Sequence, residues 1–291
     1  METPVSNYRC SSFVKYPYKK DTSMKYIIAL VATLFATVAV AQQRPNNPPE
    51  ACAQHAPWGA PVAAKLTDST ILCKQGYFLQ HDNVAKIPAW VAWQITPKTV
   101  NGCVPRNNAF AIDQALPKGK GAAPTDYAGS GYDQGNLAND AHQSWDPVVE
   151  KESFLMSNMS PQLPGLNRGI WKLLETASGA WVYSRQHTLI IYAGNIYDTA
   201  SAKKIGANQV VVPMALYKIV IDKDTNETFA FLFPHKENQG NDLSVVQTTV
   251  NDIESQSGII FPVPGDKKAK LPLWPVDFKS VADAKKALCK G

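Results

Sequence analysis

Between residues 188 and 233 the chain carries four short runs built almost wholly from β-branched, aromatic and aliphatic residues: 188–192, 210–212, 216–221 and 228–233. Runs this short and this apolar predict strands with little access to water. Two earlier runs, 77–79 and 89–95, extend the series, the second with Trp90, Val91, Trp93 and Ile95 in partial alternation. Two helical patterns stand beside them. From 166 or 167 toward 184, Ile170, Leu174, Ala177 and Trp181 recur at helical spacing as one apolar stripe, weakened late by Gly179. Residues 250–257, with Val250 and Ile253 ahead of Gly258, predict a second helix. The segment 117–131 is rich in Gly, Ala and Pro and reads as loop. Strands and helices in this mixture, without an internal repeat, predict one α+β domain over residues 60–291.

With 45% apolar and 18% charged residues in 291, the chain is neither disordered nor a multi-span membrane protein. From Met24 it reads basic start, apolar core and small-residue end at Ala39-Val40-Ala41, the pattern of a secretory signal peptide. The apolar stretch falls short of the ~18–20 residues that a spanning helix needs. Residues 1–41 are therefore expected to be a leader, with Met24 as the working start and Gln42 as the first mature residue. Residues 42–59 are expected to form a proline-rich flexible segment. Formal charge is +5, but much of the excess lies in the leader (Arg9, Lys15, Lys19, Lys20 and Lys25 against Glu2 and Asp21), so net basicity is weak evidence for nucleic-acid binding. Cleavage would also remove Cys10. Cys52, Cys73, Cys103 and Cys289 remain, and in a secreted or periplasmic chain they predict two disulfides in one of three pairings.

Chemistry-bearing residues concentrate in two segments. One is Tyr132-Asp133-Gln134-Gly135-Asn136-Leu137-Ala138-Asn139; the other runs from Glu152 through Asn158, Asn167-Arg168-Gly169-Ile170-Trp171 and Leu174-Glu175. With Trp90 and Trp93, Arg106, Phe110 and Asp113, Tyr192 and Gly194, Tyr217-Lys218, and Asp252, Glu254 and Gly258, the stretch 70–262 resembles the DNA/RNA non-specific endonuclease family of the ββα-metal superfamily. The resemblance implies an α+β fold, a central antiparallel sheet flanked by helices, and hydrolysis of DNA and RNA without sequence preference. It implies one Mg²⁺, with Mn²⁺ also suitable, held by Asn167. A neutral amide suits an ion that keeps several waters and takes further ligands from phosphate. Glu175 is implied to orient water around the ion, on a helical face shared by Asn167, Trp171 and Glu175 at i, i+4, i+8. Asn158 is implied to hold water or a phosphate oxygen. Arg106 is implied to clamp phosphate, the plainer alternative being a surface pair with Asp113. Gln134, Lys118 and Lys120 are assigned to the nucleic-acid backbone, contacts that carry no sequence information. A homodimer is compatible with the resemblance, and a membrane role for the mature chain is not implied.

Two positions depart from the family motif, Asp-Arg-Gly-His. Here it reads Asp133-Gln134-Gly135-Asn136. The family histidine deprotonates the attacking water, and an amide cannot. Losing a positioned base costs about 10²–10⁴ in rate, and Gln134 also removes a positive charge. Either the chain is a catalytically weak or inactive nucleic-acid-binding pseudo-nuclease, or another base serves, with His142 and then Asp140 as candidates. The plainer readings are an exposed loop histidine at 142, a helix N-cap at Asn167 and a solvated carboxylate at Glu175. A disulfide-stabilised structural protein without a nucleic-acid role is the third option.

Overall fold

A computed structural model describes residues 47–289; the expected leader and its cleavage site lie outside the described residues. In chain order the strands are β1 (Ser69–Cys73), β2 (Phe78–Asp82), β3 (Ile87–Ile95), β4 (Asp133–Asn136), β5 (Met159–Gln162), β6 (Leu189–Ile196), β7 (Lys204–Ile205), β8 (Val210–Val211), β9 (Ala215–Asp222), β10 (Thr228–Pro234) and β11 (Gln247–Thr248). The helices are α1 (Asp140–Gln143), α2 (Pro147–Glu152), α3 (Lys172–Arg185), α4 (Val250–Ser257) and α5 (Phe278–Leu288). A seven-stranded antiparallel sheet runs β1-β2-β3-β6-β9-β10-β11, while β4 and β5 form a separate antiparallel pair.

The central strands are mostly apolar because both sheet faces are covered. Every residue of β6 is buried. Leu189, Ile191 and Ala193 join the core that holds Leu174, Ala177 and Trp181 of α3. Ile190, Tyr192 and Ile196 join the opposite core with Val250 and Ile253 of α4, Phe261, Cys52 and Ala56. Helix α4 spans the residues its sequence predicts. Thr249 and Asp252 form a capping box at its start, and Gly258 ends it in the left-handed region at φ 68°.

Two expectations need correction. The helix expected from 166 or 167 begins as a turn at Pro164–Leu166, widens into a π turn over Asn167–Trp171, and only then becomes α3. The wider turn changes the face of each side chain. Trp171 is fully buried, edge-on to Phe233 at 5.1 Å, so it does not share a solvent face with Asn167 and Glu175. The flexible segment expected over 42–59 is packed from Glu50 onward: Cys52 and Ala56 are buried, and a Cys52–Cys73 disulfide fastens them beside β1. Pro45, Pro48 and Pro49 precede residue 50, whereas Cys52 and Ala56 after it join the core and Trp58 packs against it. The second disulfide, Cys103–Cys289, completes one of the three pairings. Among the described residues no helix is long and apolar enough to cross a membrane.

Three buried histidines make stability sensitive to acid. Burial lowers His55 and His81 to about 4 and His142 to about 3. Unfolded, each takes up a proton near its ordinary pKa of about 6.5. Their contribution is therefore complete above pH 6.5 and is lost as pH falls toward 4, because the unfolded chain binds protons that the folded one refuses. Urea unfolding at steps between pH 7 and pH 4 should show stability falling by up to about 4 kcal/mol per pH unit, three times the single-group slope. A flat profile would mean that these rings are not held neutral.

Candidate active site

The β4–β5 pair, the π turn with α3, the loop after β3 and α5 converge on a cleft of ≈ 880 Å³. Strand β4 brings Asp133, Gln134 and Asn136 to its wall. Gly135 between them packs so closely that an added Cβ would lie 2.3 Å from the Gln162 side chain, which is why the strand carries no side chain there. Asn139, Asp140 and His142 follow at the start of α1. Asn167, Arg168, Lys172 and Glu175 line the facing wall.

Asp133 organises the polar end of the cleft. Its carboxylate accepts the Asn167 amide at 3.0 Å and a bidentate pair from Arg168 at 2.7 and 2.8 Å. Partial burial works against its charge, but Arg168 and Asn167 outweigh it and hold the carboxyl below its ordinary range. Because the amide nitrogen must face the carboxylate, Oδ1 of Asn167 is turned away and is available as a metal ligand. Asn167 is thus not an N-cap; Leu163 occupies that position in the preceding turn. Two further polar atoms on the cleft, Asn136 Nδ2 and Asn139 Oδ1, are buried without a protein partner. A buried orphan costs about 1–3 kcal/mol. The donor set fits a hydrated Mg²⁺ beside Asn167, an oxygen ligand with room for water.

Behind the cleft, Glu175 pairs with Lys218 at 3.0 Å, and the Lys218 ammonium lies 3.8 Å over the Trp171 ring. Burial pushes the Glu175 carboxyl up and the Lys218 ammonium down, while each opposes the shift of the other. Glu175 is therefore a paired, half-buried group rather than a solvated carboxylate. Sequence reasoning gave Lys218 no role, and a buried lysine is legible only once strand β9 is placed under α3.

Arg106 lines the cleft with Asp140 as its ion-pair partner, not Asp113. It also donates to Asn108 at 2.7 Å and lies 4.8 Å over the Phe154 ring. Asp113 instead pairs with Lys74 at 3.1 Å and accepts from Ser157.

Several expected site residues need correction. Asn158 is fully buried. Its Oδ1 accepts the Ala138 amide at 3.0 Å, and its Nδ2 donates to the carbonyls of Ala138 and Ser153, both at 2.9 Å. With these bonds made it clamps the segment after Asn136 and has no access to water or phosphate. His142 is buried, not exposed. Its Nδ1 accepts the Trp93 indole at 3.3 Å, so Nε2 carries the proton and donates to the Glu175 carbonyl at 2.9 Å. With its lone pair occupied and its pKa lowered to about 3 by burial, it does not serve as a base near neutrality. Lys118 and Lys120 lie outside the cleft, and Lys120 pairs with Asp68 at 2.8 Å. Gln134 stays on the cleft wall and reaches the Pro124 carbonyl at 3.4 Å. A cluster of His187, Asp222 and Asp224 lies elsewhere; Asp222 is committed to His187 and to the amides of Asp224 and Thr225.

A β-pair followed by a helix, set against a large antiparallel sheet flanked by helices, is the α+β ββα-metal architecture. The chain belongs to the DNA/RNA non-specific endonuclease family, whose model matches residues 59–267. It is 31% identical over 217 residues to a nuclease of Nostoc sp. (strain PCC 7120 / SAG 25.82 / UTEX 2576), covering 70% of this chain and 77% of that protein. It is 29% identical over 199 residues to mitochondrial nuclease EXOG of Mus musculus, covering 63% of this chain but only 54% of that protein. In fold it is similar to the crystal structure of the EndoG/EndoGI complex, with TM-score 0.65 and 22% identity over 76% of this chain and 96% of that one.

Proposed function

We propose that the protein is an exported, Mg²⁺-dependent endonuclease that hydrolyses DNA and RNA without sequence preference, working slowly because Asn136 stands where the family carries its general base. The observation that carries this reading is the Asp133–Asn167–Arg168 arrangement, which orients the Asn167 amide with its oxygen free. Mg²⁺ bound there would polarise the phosphoryl oxygen and offset charge on the leaving oxygen. Arg106 supplies a guanidinium to the phosphate in exchange for its bond to Asp140. Asn136, on the cleft wall that also carries Asn167, offers an amide that orients water. Glu175, kept in place by Lys218 and by the His142 bond to its backbone, shapes the field at the cleft wall. Contacts of this kind reach backbone phosphates and leave base edges unread. The two disulfides agree with an oxidising, extracellular or periplasmic location.

Plasmid nicking by purified protein, with Mg²⁺ or Mn²⁺ and with EDTA, tests the proposal. Nicking that needs the ion is expected; no cleavage at high enzyme concentration over hours would refute it. A second reading, a nucleic-acid-binding module without catalysis, is favoured by the lack of an imidazole base: position 136 is an amide and the His142 lone pair is occupied. It predicts salt-dependent binding of nucleic acid without strand scission.

A further inference from the structure

The C-terminal segment lies beyond residues 59–267 of the family match, yet it supplies one wall of the cleft. It is anchored at two points. Trp274 packs edge-on against Phe229 at 4.6 Å and Trp181 at 5.4 Å, with the Arg185 guanidinium 4.0 Å over its ring. At the other end, Cys289 is bonded to Cys103. Between these anchors α5 contains no buried residue. A short helix whose Val281, Ala284 and Lys285 are only half-buried fixes its own position weakly, so its anchored ends help to hold it over α3.

The wall it makes is chemically unlike the rest of the cleft. Phe278 and Val281 of α5 face the cavity together with Tyr183 and Ala180 of α3, whereas Asn136 and Asn167 line its polar end. Apolar and aromatic surface beside a phosphate-binding end suits a nucleobase, which stacks on such surface whatever its identity. The volume of ≈ 880 Å³ lies within the range of about 300–1,000 Å³ typical of small-molecule pockets. That is room for an unstacked nucleotide.

We propose that α5, latched by Cys103–Cys289, forms a base-accepting subsite that makes the cleft select unpaired nucleotides over duplex. The inference rests on the nucleic-acid reading above and adds the strandedness of the substrate. Removal of the latch frees the end of α5 and opens the cleft to wider substrates.

Fluorescence anisotropy with a labelled single-stranded oligonucleotide, and with the same strand annealed to its complement, tests this. Binding is measured in EDTA, and in parallel with Mg²⁺ on a cleavage-resistant phosphorothioate backbone. The wild-type protein should bind the single strand at least about fivefold more tightly, the equivalent of one modest base-stacking contact. In the Cys103→Ser/Cys289→Ser variant that ratio should fall toward one as duplex affinity rises. Val281→Glu alters a residue the fold does not bury, so it serves if the double variant fails to fold; it should weaken the single strand selectively. Equal wild-type affinities, or an unchanged ratio in the variants, would overturn the inference and leave the nuclease reading standing. Absence of binding to either form would overturn both.

Discussion

Asn136→His should raise the rate of plasmid cleavage by about 10²–10⁴, the usual contribution of a positioned general base. The expectation follows from where the side chain stands. Asn136 ends β4 on the cleft wall, with its amide nitrogen buried and unpartnered. An imidazole there faces the same cleft as Asn167. The nearby histidine does not compete: His142 is held neutral between Trp93 and the Glu175 carbonyl. The measurement is initial nicking rate against pH for both proteins. The variant should also acquire a rising limb near the ordinary histidine pKa, about 6.5, that the parent lacks. If the rate and the profile were unchanged, water activation would not be what limits this protein. If the parent cut nothing and the variant cut, the natural chain would be a binding scaffold one residue from an enzyme.

Lys218→Met should lower folding stability by about 3–5 kcal/mol, the range found when one partner of a buried ion pair is removed. Lys218 is 1% exposed and meets Glu175 at 3.0 Å above the Trp171 ring. Without the ammonium, the Glu175 carboxylate keeps its desolvation penalty and loses its compensation, so its carboxyl rises further. Lys218→Met combined with Glu175→Gln should recover much of the loss, since the uncompensated charge is then gone. Urea unfolding of the two variants beside the parent decides it. A single variant within about 1 kcal/mol of the parent, the scale of an ordinary surface pair, would show that water reaches this pair and that it does not support the cleft from below.

Much of the architecture was legible in the chain. The runs at 188–192, 216–221 and 228–233 overlap β6, β9 and β10, because a sheet covered on both faces favours apolar residues at most positions. Helix α4 was legible to its last residue because its start and stop are local: a capping box and a left-handed glycine. The membership of Asn136, Asn167, Arg106 and Glu175 in one cleft could be expected from the family motif. Their partners could not. The Asp133 bond that orients Asn167 crosses from a strand to a turn 34 residues later, and the Lys218–Glu175 pair joins a strand to a helix 43 residues away. Neither separation leaves a local pattern.

The linear order of residues set the apolar periods, the helix stops and the identity of the polar groups brought to the cleft, because those depend on neighbours within a turn or a pleat. Packing alone decided what each group can do. Asn158 became a backbone clamp, His142 a neutral strut, and the C-terminal helix a wall of the cleft. Hydrogen-bond partners and burial, which set proton affinity and access, come from residues distant along the chain.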